Sequence, residues 1–569
     1  MKKWIGMGLV LALLVTAAPL WKATTAYAMT PFSMASYALN AYAAMEEEAA
    51  YWDEYVFELS PEQEKALEKM YRIIPELREL TNIDGYNDPD NNSWGVWLWT
   101  EQPEGETSSF TASASMDFNA TTGELTSYNF NNPNWATNEG PSEQLAIRQA
   151  EAFIKGIMGN RTALYPLGIG GGGYSSWIDE DGNEISWHST TVMFCPLING
   201  IPFQDYYLHV DVDAFGNIVS FYQYSDYDLD PSLFVHPNQA VLSPTDAKRV
   251  MEREMTMEMA YLLEIPYYGQ ELPWLIYMGS GWWAIDAITG KNPYGYYDVK
   301  LEQQSFSISG QGKKMIAKTQ QEVESFLTGF LGADLQGMVM DDEFRYDDYV
   351  TYSWYSDIDW EQPDADTSWR NYSVTTDAKS GEIIDFHSYS DEDGSKPAVV
   401  TEEEAKSIAM KFLQTVLPQE NTELLLLTST ESLDNAPDWA DPDLVDPMHF
   451  SQSEAWFSFI SAHNGIPIYG GSYYYVSVNL STGKLSGYGG SNATMPTNWP
   501  EATLAVSPDK AKNELIKNTK LQLIYIWPEW YGQKAPAPSL VYTTALDSDW
   551  LFIDALTGKA VNYAELMND

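Results

Sequence analysis

The chain has 569 residues, with 31 basic and 81 acidic side chains and a net charge of -50. So acidic a protein repels nucleic acid phosphates and anionic lipid headgroups, and neither is an expected partner. The single cysteine, Cys195, excludes an intrachain disulfide. This length predicts several domains, each able to bury its own core.

The first residues have the order of a secretory signal peptide. Two lysines precede an apolar run that ends at Leu20, and the small residues around Tyr27 form a cleavage site. We therefore expect 1–28 to be a signal peptide and the mature protein to be secreted. The alternative is an uncleaved signal that tethers the protein to the outer face of the membrane, because the run is nearly long enough to span a bilayer. No later stretch is apolar enough to span one.

Six predicted helices begin in the same way. Each pairs a Ser or Thr N-cap with acidic or amide residues in the first turn and continues as an amphipathic run. The hydroxyl of such a cap accepts hydrogen bonds from the free amides of the first turn. The predicted N-caps are Ser60, Ser142, Ser243, Thr319, Thr401 and Ser507. In the helix from Thr401, the apolar face comprises Ala405, Ile408, Ala409, Phe412, Leu413 and Val416.

The spacing of these N-caps predicts a tandem duplication. Ser60 and Ser142 are 82 residues apart, as are Thr319 and Thr401. The second trio of caps repeats the first with shifts of 259, 259 and 264 residues. Repeats of this kind usually correspond to repeated structural units.

Each helix is followed by a strand pair whose connection runs from Asp or Asn to Gly. The acidic or amide side chain closes an Asx turn, and the Gly supplies the positive φ of a hairpin loop. The predicted turn glycines are Gly123, Gly216, Gly290, Gly381, Gly483 and Gly558. The near-copies IDAITGK at 285–291 and IDALTGK at 553–559 are two of these turns. We therefore interpret them as scaffold and not as halves of a binding site.

A family resemblance rests on this recurring pattern. The helix sequence VTEEEAKSIAMKFLQ at 400–414, followed by a G-x-P strand and V-x-V-(N/D)-x-x-x-G-(E/K), resembles PepSY-like modules. Their arrangement resembles the YcdB/YcdC repeat family of secreted proteins from Gram-positive bacteria, from about 58 to 565. PepSY modules occur in propeptides of secreted peptidases, which implies that this chain inhibits, chaperones or localises a peptidase in trans. The resemblance implies no settled activity and transfers no catalytic residue.

These observations predict an α+β fold class: tandem helix-plus-antiparallel-hairpin, PepSY-like modules, in two homologous halves of three modules each. The predicted organisation is a signal peptide at 1–28, an acidic aromatic linker at 29–58, a first YcdB/YcdC-like half at 59–291, a linker at 292–314 and a second half at 315–569.

Searches for catalytic sites identify none. The six histidines form no H-E-x-x-H motif, and no two lie within five residues, which argues against a zinc enzyme. Cys195 has apolar neighbours and is interpreted as a core residue. The GGSNA stretch at 489–493 departs from G-x-S-x-G and is interpreted as a loop. The glycine run at 168–173 lacks phosphate-loop and Rossmann spacing and is interpreted as a connector.

Calcium and sugar sites are weakly indicated. Asp211 and Asp213 begin like an EF-hand loop, but Phe215 and Tyr222 occupy ligand positions. The acidic stretches at 179–184 and 391–394 are interpreted as exposed hairpin turns. The acidic, Pro-rich insertion at 434–447 is interpreted as a disordered loop in preference to a cation site. The Trp-rich runs at 93–103 and 351–360 are equally consistent with a sugar-stacking face and with sheet packing.

The predicted function is therefore that of a secreted, non-enzymatic interaction protein acting on an extracellular peptidase or another cell-envelope protein. Exposed sheet edges are the expected docking surface. The alternative is a cell-wall or glycan-binding surface protein, and an enzyme with a dispersed site is a third possibility. No cofactor, metal site or catalytic residue is predicted, and the oligomeric state is left open.

Overall fold

The computed structural model describes residues 57–89, 91–100, 111–137, 139–159, 164–169, 173–178, 184–224, 230–238, 241–263, 273–280, 284–293, 301–340, 344–345, 348–356, 369–390, 396–419, 421–429, 436–445, 454–545 and 551–562. The predicted signal peptide and the linker at 29–58, apart from its last two residues, lie outside these ranges. None of the helices described combines the length and apolarity that a membrane crossing requires.

Six α-helices are present in the described ranges, and each begins at a predicted N-cap. They are α1 Pro61–Ile73, α2 Glu143–Met158, α3 Pro244–Glu254, α4 Gln320–Phe326, α5 Glu402–Val416 and α6 Pro508–Asn518. Each cap hydroxyl accepts a hydrogen bond from the backbone N–H three residues on. Short helical turns comprise Pro75–Glu79, Pro133–Trp135, Pro231–Leu233, Leu327–Leu331, Pro442–Leu444 and Ala502–Leu504.

The first large sheet has ten strands in the part of the chain described. They are β1 Asn82–Asp88, β2 Ser93–Trp99, β3 Ser113–Asn119, β4 Leu125–Asn131, β5 Leu164–Ile169, β6 Tyr174–Ile178, β7 Glu184–Ile198, β8 Ile201–Pro202, β9 Tyr207–Asp213 and β10 Ile218–Tyr224. The order is β1-β2-β3-β4-β10-β9-β7-β5, with β6 and β8 also paired to β7. Strands β2 and β3 alternate buried and less buried residues, so one face of this sheet covers a core.

The remaining strands form a second large sheet and two small ones. In chain order they are β11 Thr256–Leu262, β12 Trp274–Ser280, β13 Ile285–Asp286, β14 Leu301–Ser309, β15 Met338–Met340, β16 Phe344–Arg345, β17 Tyr349–Ser356, β18 Arg370–Asp377, β19 Ile383–Ser390, β20 Asn421–Ser429, β21 Glu454–His463, β22 Ile466–Tyr469, β23 Tyr473–Asn479, β24 Lys484–Ser491, β25 Leu521–Ile526, β26 Glu529–Trp530, β27 Gln533–Lys534, β28 Ser539–Thr544, β29 Leu551–Asp554 and β30 Ala560–Asn562. The long path of the second sheet is β15-β17-β18-β19-β24-β23-β21-β22-β11-β12-β29-β30, with β14, β16 and β20 attached beside it. Strands β13, β28 and β25 form a third sheet, and β26 and β27 form a hairpin.

The predicted fold class, tandem helix-plus-antiparallel-hairpin modules in two homologous halves of three, is wrong. Strands that follow different helices pair with one another: β4 after α1 pairs with β10 after α2, and β19 after α4 pairs with β24 after α5. An isolated hairpin leaves both edges unpaired and is marginally stable, whereas edge-to-edge pairing removes those edges. The observed architecture is therefore broad, mainly antiparallel sheet with a few helices packed on it.

Sheet pairing also crosses the predicted halves. Strands β11 and β12 precede residue 291, yet β11 pairs in parallel with β22 and β12 pairs with β29. The segment predicted as a linker at 292–314 contains β14, which pairs along its length with β20. The domain boundaries and the duplication themselves stay predictions.

Two main cores lie between helices and sheets. The first includes buried residues from α1, α2, α3 and α6 and extends from Leu67 to Ala555 in the chain. The second lies under α4 and α5 and includes the predicted helix-face residues Ala405, Ala409 and Leu413, each with no exposed area. Ile408 and Val416, predicted on the same face, pack against this core while only partly buried.

The Asp/Asn-to-Gly connections are structural turns, as predicted. All six predicted glycines have positive φ, between 67° and 88°. In IDAITGK, the Asp286 carboxylate accepts hydrogen bonds from the N–H groups of Ile288 and Thr289 at 3.0 and 2.6 Å. Asp554 does the same for Leu556 and Thr557 at 2.9 and 2.7 Å in IDALTGK. In both near-copies, the Asp carboxylate is thus occupied by hydrogen bonds from the backbone of its own turn.

Candidate functional site

The residues singled out as possible metal ligands are used within the fold. Asp211 accepts hydrogen bonds from the hydroxyls of Thr191 and Ser220 on neighbouring strands. Asp213 is 2% exposed and binds the backbone N–H of Phe215 and Asn217 in its own turn. Within the described ranges, no group of three His, Cys, Asp or Glu residues is placed to hold a metal ion.

Cys195 and two of the histidines are packed within the fold. Cys195 is fully buried, and burial raises the pKa of its thiol to about 12, so the thiol is protonated at neutral pH. His209 stacks on Tyr207, and His463 stacks on Trp499 with ring centroids 4.5 Å apart. These histidines pack on aromatic rings of their own surroundings.

Two loop interpretations are wrong. Residues 489–491 of the GGSNA stretch are the end of strand β24. In the insertion at 434–447, residues 436–445 include a turn and the helical turn Pro442–Leu444. Two hydrogen bonds of 2.8 and 2.9 Å join Asp441 to the Gln533 side chain, and Val445 is 6% exposed, so this part is anchored and ordered. The acidic residues 179–183 and 391–394 and the glycines 170–172 lie outside the described residues.

The Trp-rich runs split between core and surface. Trp94 and Trp354 are 3% and 4% exposed and belong to the two cores. Trp97, on the opposite face of β2, is 42% exposed. Trp360 lies outside the described residues. Sheet packing therefore explains Trp94 and Trp354, and only Trp97 among these three is placed to meet a ligand.

The strongest candidate site is a polar patch on the second sheet, on the face away from α5. Two adjacent rows of residues cross the strands β19, β24, β23 and β21 here. Strand β24, the second of the four, contributes only glycine to both rows. We call this patch the glycine trough. It is defined by Asp385, His387, Gly487, Gly489, Tyr475, Ser477 and Trp456.

The missing side chain of Gly489 lets its neighbours meet. The Tyr475 hydroxyl reaches across β24 and donates a short hydrogen bond to Asp385. A Cβ on Gly489 would lie 2.7 Å from Cζ of Tyr475 and would also collide with the Asp385 carboxylate. A Cβ on Gly487 would lie 2.6 Å from the Ser477 hydroxyl oxygen. Glycine at both positions therefore lets side chains of the flanking strands close over β24.

An exposed aromatic ring borders the trough. Trp456 is 53% exposed. Its ring centroid lies 6.0 Å from that of Tyr475, at an interplanar angle of 30°, and 6.1 Å from that of His387, at 27°. The Trp face is thus held in place by two neighbouring rings while remaining open to a ligand.

The electrostatics of the trough follow from partial burial. Burial raises the pKa of Asp385, while the Tyr475 hydroxyl and His387 lower it. Burial, and then the hydrogen bond to Asp385, raise the pKa of Tyr475. Burial lowers the pKa of His387. The trough therefore combines a carboxyl group that accepts from Tyr475, a tyrosine hydroxyl that keeps its proton more strongly than usual, an imidazole that loses its proton more readily than usual, and a Trp face.

Sequence reasoning did not identify these residues as a site. Asp385 and His387 alternate in IIDFHSYS, Tyr475 and Ser477 alternate in YYYVSVN, and Gly487 and Gly489 alternate in GYGG. Period-2 alternation of this kind was the available signal, since it places such residues on one face of their strands. Which strands lie side by side was not readable from it.

The region that contains the trough matches a known family. Residues 342–492 match the family model described as the YcdB, YcdC repeated domain, about a quarter of the chain. The resemblance predicted from the sequence is confirmed for these residues. No curated protein matches the chain.

Two solved structures are similar in part. The C-terminal domain of YpeB from Bacillus megaterium is 16% identical over 44% of this chain and 96% of its own length, with a TM-score of 0.22. An uncharacterised protein from Eubacterium rectale is 10% identical over 57% of this chain and 99% of its own length, with a TM-score of 0.21. Superpositions this poor do not define a shared fold.

Proposed function

We propose that the chain is a non-enzymatic binding protein and that its ligand is an uncharged glycan held on the glycine trough. One observation carries the proposal: the exposed ring of Trp456 lies beside Tyr475, whose hydroxyl is hydrogen-bonded to Asp385 over Gly489. A sugar ring has an apolar face that stacks on an aromatic ring and hydroxyls that donate to a carboxylate. The trough supplies both partners, the ring from β21 and the carboxylate from β19.

The charge of the protein limits the class of glycan. With a net charge of -50, the surface repels polymers that carry phosphate, sulfate or carboxylate groups. The carboxylate of Asp385 would also face such groups directly. An uncharged polysaccharide avoids both repulsions, and its hydroxyls can donate to Asp385 and to the Tyr475 oxygen and accept from His387.

An extracellular location is part of the proposal. It depends on the predicted signal peptide at 1–28, which lies outside the described residues. A secreted protein meets polymeric glycans at the cell wall and in the medium, so a glycan ligand is consistent with that route.

The test is isothermal titration calorimetry with chitohexaose and laminarihexaose, two uncharged hexasaccharides, against the purified protein. We expect binding to at least one of them, and a loss of at least tenfold in affinity at the trough for Trp456→Ala. Phe215→Ala is the matched control, because Phe215 is an aromatic residue that is 62% exposed in the turn between β9 and β10 of the first sheet. Unchanged affinity at every site in Trp456→Ala would overturn the proposal.

A second candidate is the predicted protein partner, a secreted peptidase or another envelope protein. It is favoured by the position of β1, which ends the strand order of the first sheet and, among the strands in the described ranges, pairs only with β2. An edge strand can receive an extended peptide through its backbone groups. The test is titration of the protein against secreted proteases of its host. Saturating inhibition near one or two equivalents, with this chain left intact, would support it, and full protease activity throughout would oppose it.

A further inference from the structure

We propose that the first sheet carries a second site for the same uncharged glycan, at Tyr86, Gly95, Trp97 and Asp117, so that the protein binds two segments of one polymer. This inference extends the proposed function and rests on it. We call these four residues the second trough.

The second trough repeats the geometry of the first. Gly95 on β2 pairs with Tyr86 on β1 and Asp117 on β3. The Tyr86 hydroxyl reaches across the glycine and donates a 2.9 Å hydrogen bond to Oδ1 of Asp117. A Cβ on Gly95 would lie 2.5 Å from that oxygen and 3.0 Å from Cζ of Tyr86. Glycine again leaves room for a tyrosine and an aspartate to meet over the central strand.

The aromatic ring is also repeated. Trp97 lies two residues beyond Gly95 on the same face of β2 and is 42% exposed. Its ring centroid is 5.6 Å from that of Tyr86 at an interplanar angle of 36°. For Trp456 and Tyr475 the values are 6.0 Å and 30°. In each trough, one exposed Trp therefore packs beside the tyrosine that donates a hydrogen bond to the carboxylate.

The second trough offers a ligand the same groups as the glycine trough, apart from the imidazole. The second oxygen of Asp117 accepts a 2.5 Å hydrogen bond from the Ser127 hydroxyl, so the carboxylate is fixed in orientation. Burial, followed by the hydrogen bond to Asp117, raises the pKa of Tyr86 to about 12, so its hydroxyl is neutral at any pH of interest. A carboxylate acceptor, a neutral hydroxyl and an exposed Trp are the groups assigned to glycan binding in the glycine trough.

The predicted duplication does not account for this likeness. The predicted shift of 259 residues from the first trio of helices to the second would place Gly95 at Trp354, which is 4% exposed. Gly95 lies on β2, the second strand after α1, whereas Gly489 lies on β24, the last strand between α5 and α6. The same four residue types thus meet at unrelated positions. A purely structural role, in which a tyrosine covers a strand glycine, is the outcome that the experiment must separate.

Two sites on one chain change binding to a polymer more than binding to a fragment. Once one site is occupied, the second meets its ligand at a high effective concentration, and overall affinity can rise by about 10² to 10⁴. A hexasaccharide that occupies one site at a time gains nothing from this effect. Fragment stoichiometry and polymer retention are therefore separate readouts of the second site.

The experiment compares wild type, Trp97→Ala, Trp456→Ala, the double variant and Phe215→Ala. Calorimetry with the hexasaccharide that binds should give two sites in wild type and in Phe215→Ala, one in each single Trp variant and none in the double variant. On the matching insoluble polysaccharide, each single variant should be retained at least tenfold more weakly than wild type. Trp97→Phe should restore much of the loss, because a smaller ring still stacks, and a melting curve checks that each variant is folded.

The failures are distinguishable. One site in wild type that is lost in Trp456→Ala and kept in Trp97→Ala would overturn the second trough and leave the proposed function intact. One site lost in Trp97→Ala and kept in Trp456→Ala would overturn the assignment to the glycine trough and also the claim of two sites. Absence of binding by wild type would overturn both.

Discussion

The backbone N–H of Ala287 donates a 2.8 Å hydrogen bond to the carbonyl of Leu540, in the other predicted half of the chain. The reverse contact has the same length: Ala555 donates to Leu275. Both donors lie in the near-copied heptapeptides, so each heptapeptide strand pairs with a strand of the opposite predicted half, β13 with β28 and β29 with β12. The two heptapeptides thus take part in a reciprocal strand exchange.

Two tyrosine hydroxyls also form hydrogen bonds near these strand pairs, and removing them should lower the stability of the fold. Tyr277 donates to the carbonyl of Val506 at 3.0 Å, and Tyr542 donates to that of Leu242 at 2.9 Å. Tyr277→Phe and Tyr542→Phe each leave a carbonyl without this donor and should lower the free energy of unfolding by about 1 kcal/mol. Urea denaturation measures the change. Tyr355→Phe, at an exposed position, is the control and should have no effect, whereas equal midpoints for all three variants would contradict the prediction.

Asp205 should make stability depend on pH. It lies where the turn after β8 meets β25, and its carboxylate accepts a short hydrogen bond from the N–H of Trp527. Burial raises its pKa from 3.8 to about 7, an effect that the Trp527 N–H opposes; Glu529 raises it further and Lys534 lowers it. Between pH 3.8 and about pH 7, the Asp205 carboxyl is protonated in the folded protein but ionised in the unfolded chain. This contribution to stability is therefore complete below pH 4 and is lost as pH rises to 7.

The measurement is urea unfolding from pH 4 to pH 8 for wild type and Asp205→Asn, whose amide oxygen can still accept from Trp527. The stability of the Asn variant relative to wild type should increase across this window, by at most about 1.4 kcal/mol per pH unit, and then level off. Asp438→Asn, at an exposed position, should run parallel to wild type. A parallel curve for Asp205→Asn would contradict the assignment.

Gly489→Ala should damage the glycine trough. The added methyl group would collide with Asp385 and Tyr475, breaking their hydrogen bond and costing about 1–3 kcal/mol of stability. Glycan binding at this trough should fall with it. Gly329→Ala is the matched control, since a Cβ there meets nothing within 4 Å and alanine favours a helix, so its stability should equal or exceed that of wild type. Unfolding midpoints and calorimetry on both variants decide the point.

Thr401→Ala tests the cap of α5. The Thr401 hydroxyl accepts from the N–H of Glu404 at 3.3 Å, and the Glu404 carboxylate accepts from the N–H of Thr401 at 2.8 Å. Loss of this capping box should lower the free energy of unfolding by about 1 kcal/mol. Thr415→Ala, inside the same helix, should be neutral or slightly stabilising because alanine has the higher helix propensity. A loss in Thr415→Ala equal to that in Thr401→Ala would show that the cap is not the cause.

Local chemistry was readable from the sequence because it involves neighbours in the chain. Thr401 and Glu404 are three residues apart, so the helix start at this cap followed from residue type and spacing alone. Gly290 and Gly558 have φ of 70° and 71°, and the requirement for positive φ lies within each turn. These predictions are confirmed because no distant part of the chain is needed to satisfy them.

Strand pairing was not readable in the same way. GGSNA was interpreted as a loop, yet Gly489 lies in β24, where Tyr475 and Asp385 cover it. Trp94 and Trp97 are three residues apart in one Trp-rich run, but one is buried and the other is 42% exposed. Each outcome depends on which strands lie on either side, and that is decided by contacts between distant segments.

The sequence by itself determined where the six helices begin, which glycines turn the chain, the acidic character of the surface and the family resemblance of residues 342–492. The tertiary structure decided that hairpins merge into shared sheets, that the two heptapeptides pair with strands of opposite predicted halves, and that on each large sheet a Tyr and an Asp meet over a glycine beside an exposed Trp. The physical reason is the range of the interactions. Caps and turns are satisfied within a few residues, whereas a sheet edge can pair with any compatible strand, and the choice is made by burial and register over the whole chain.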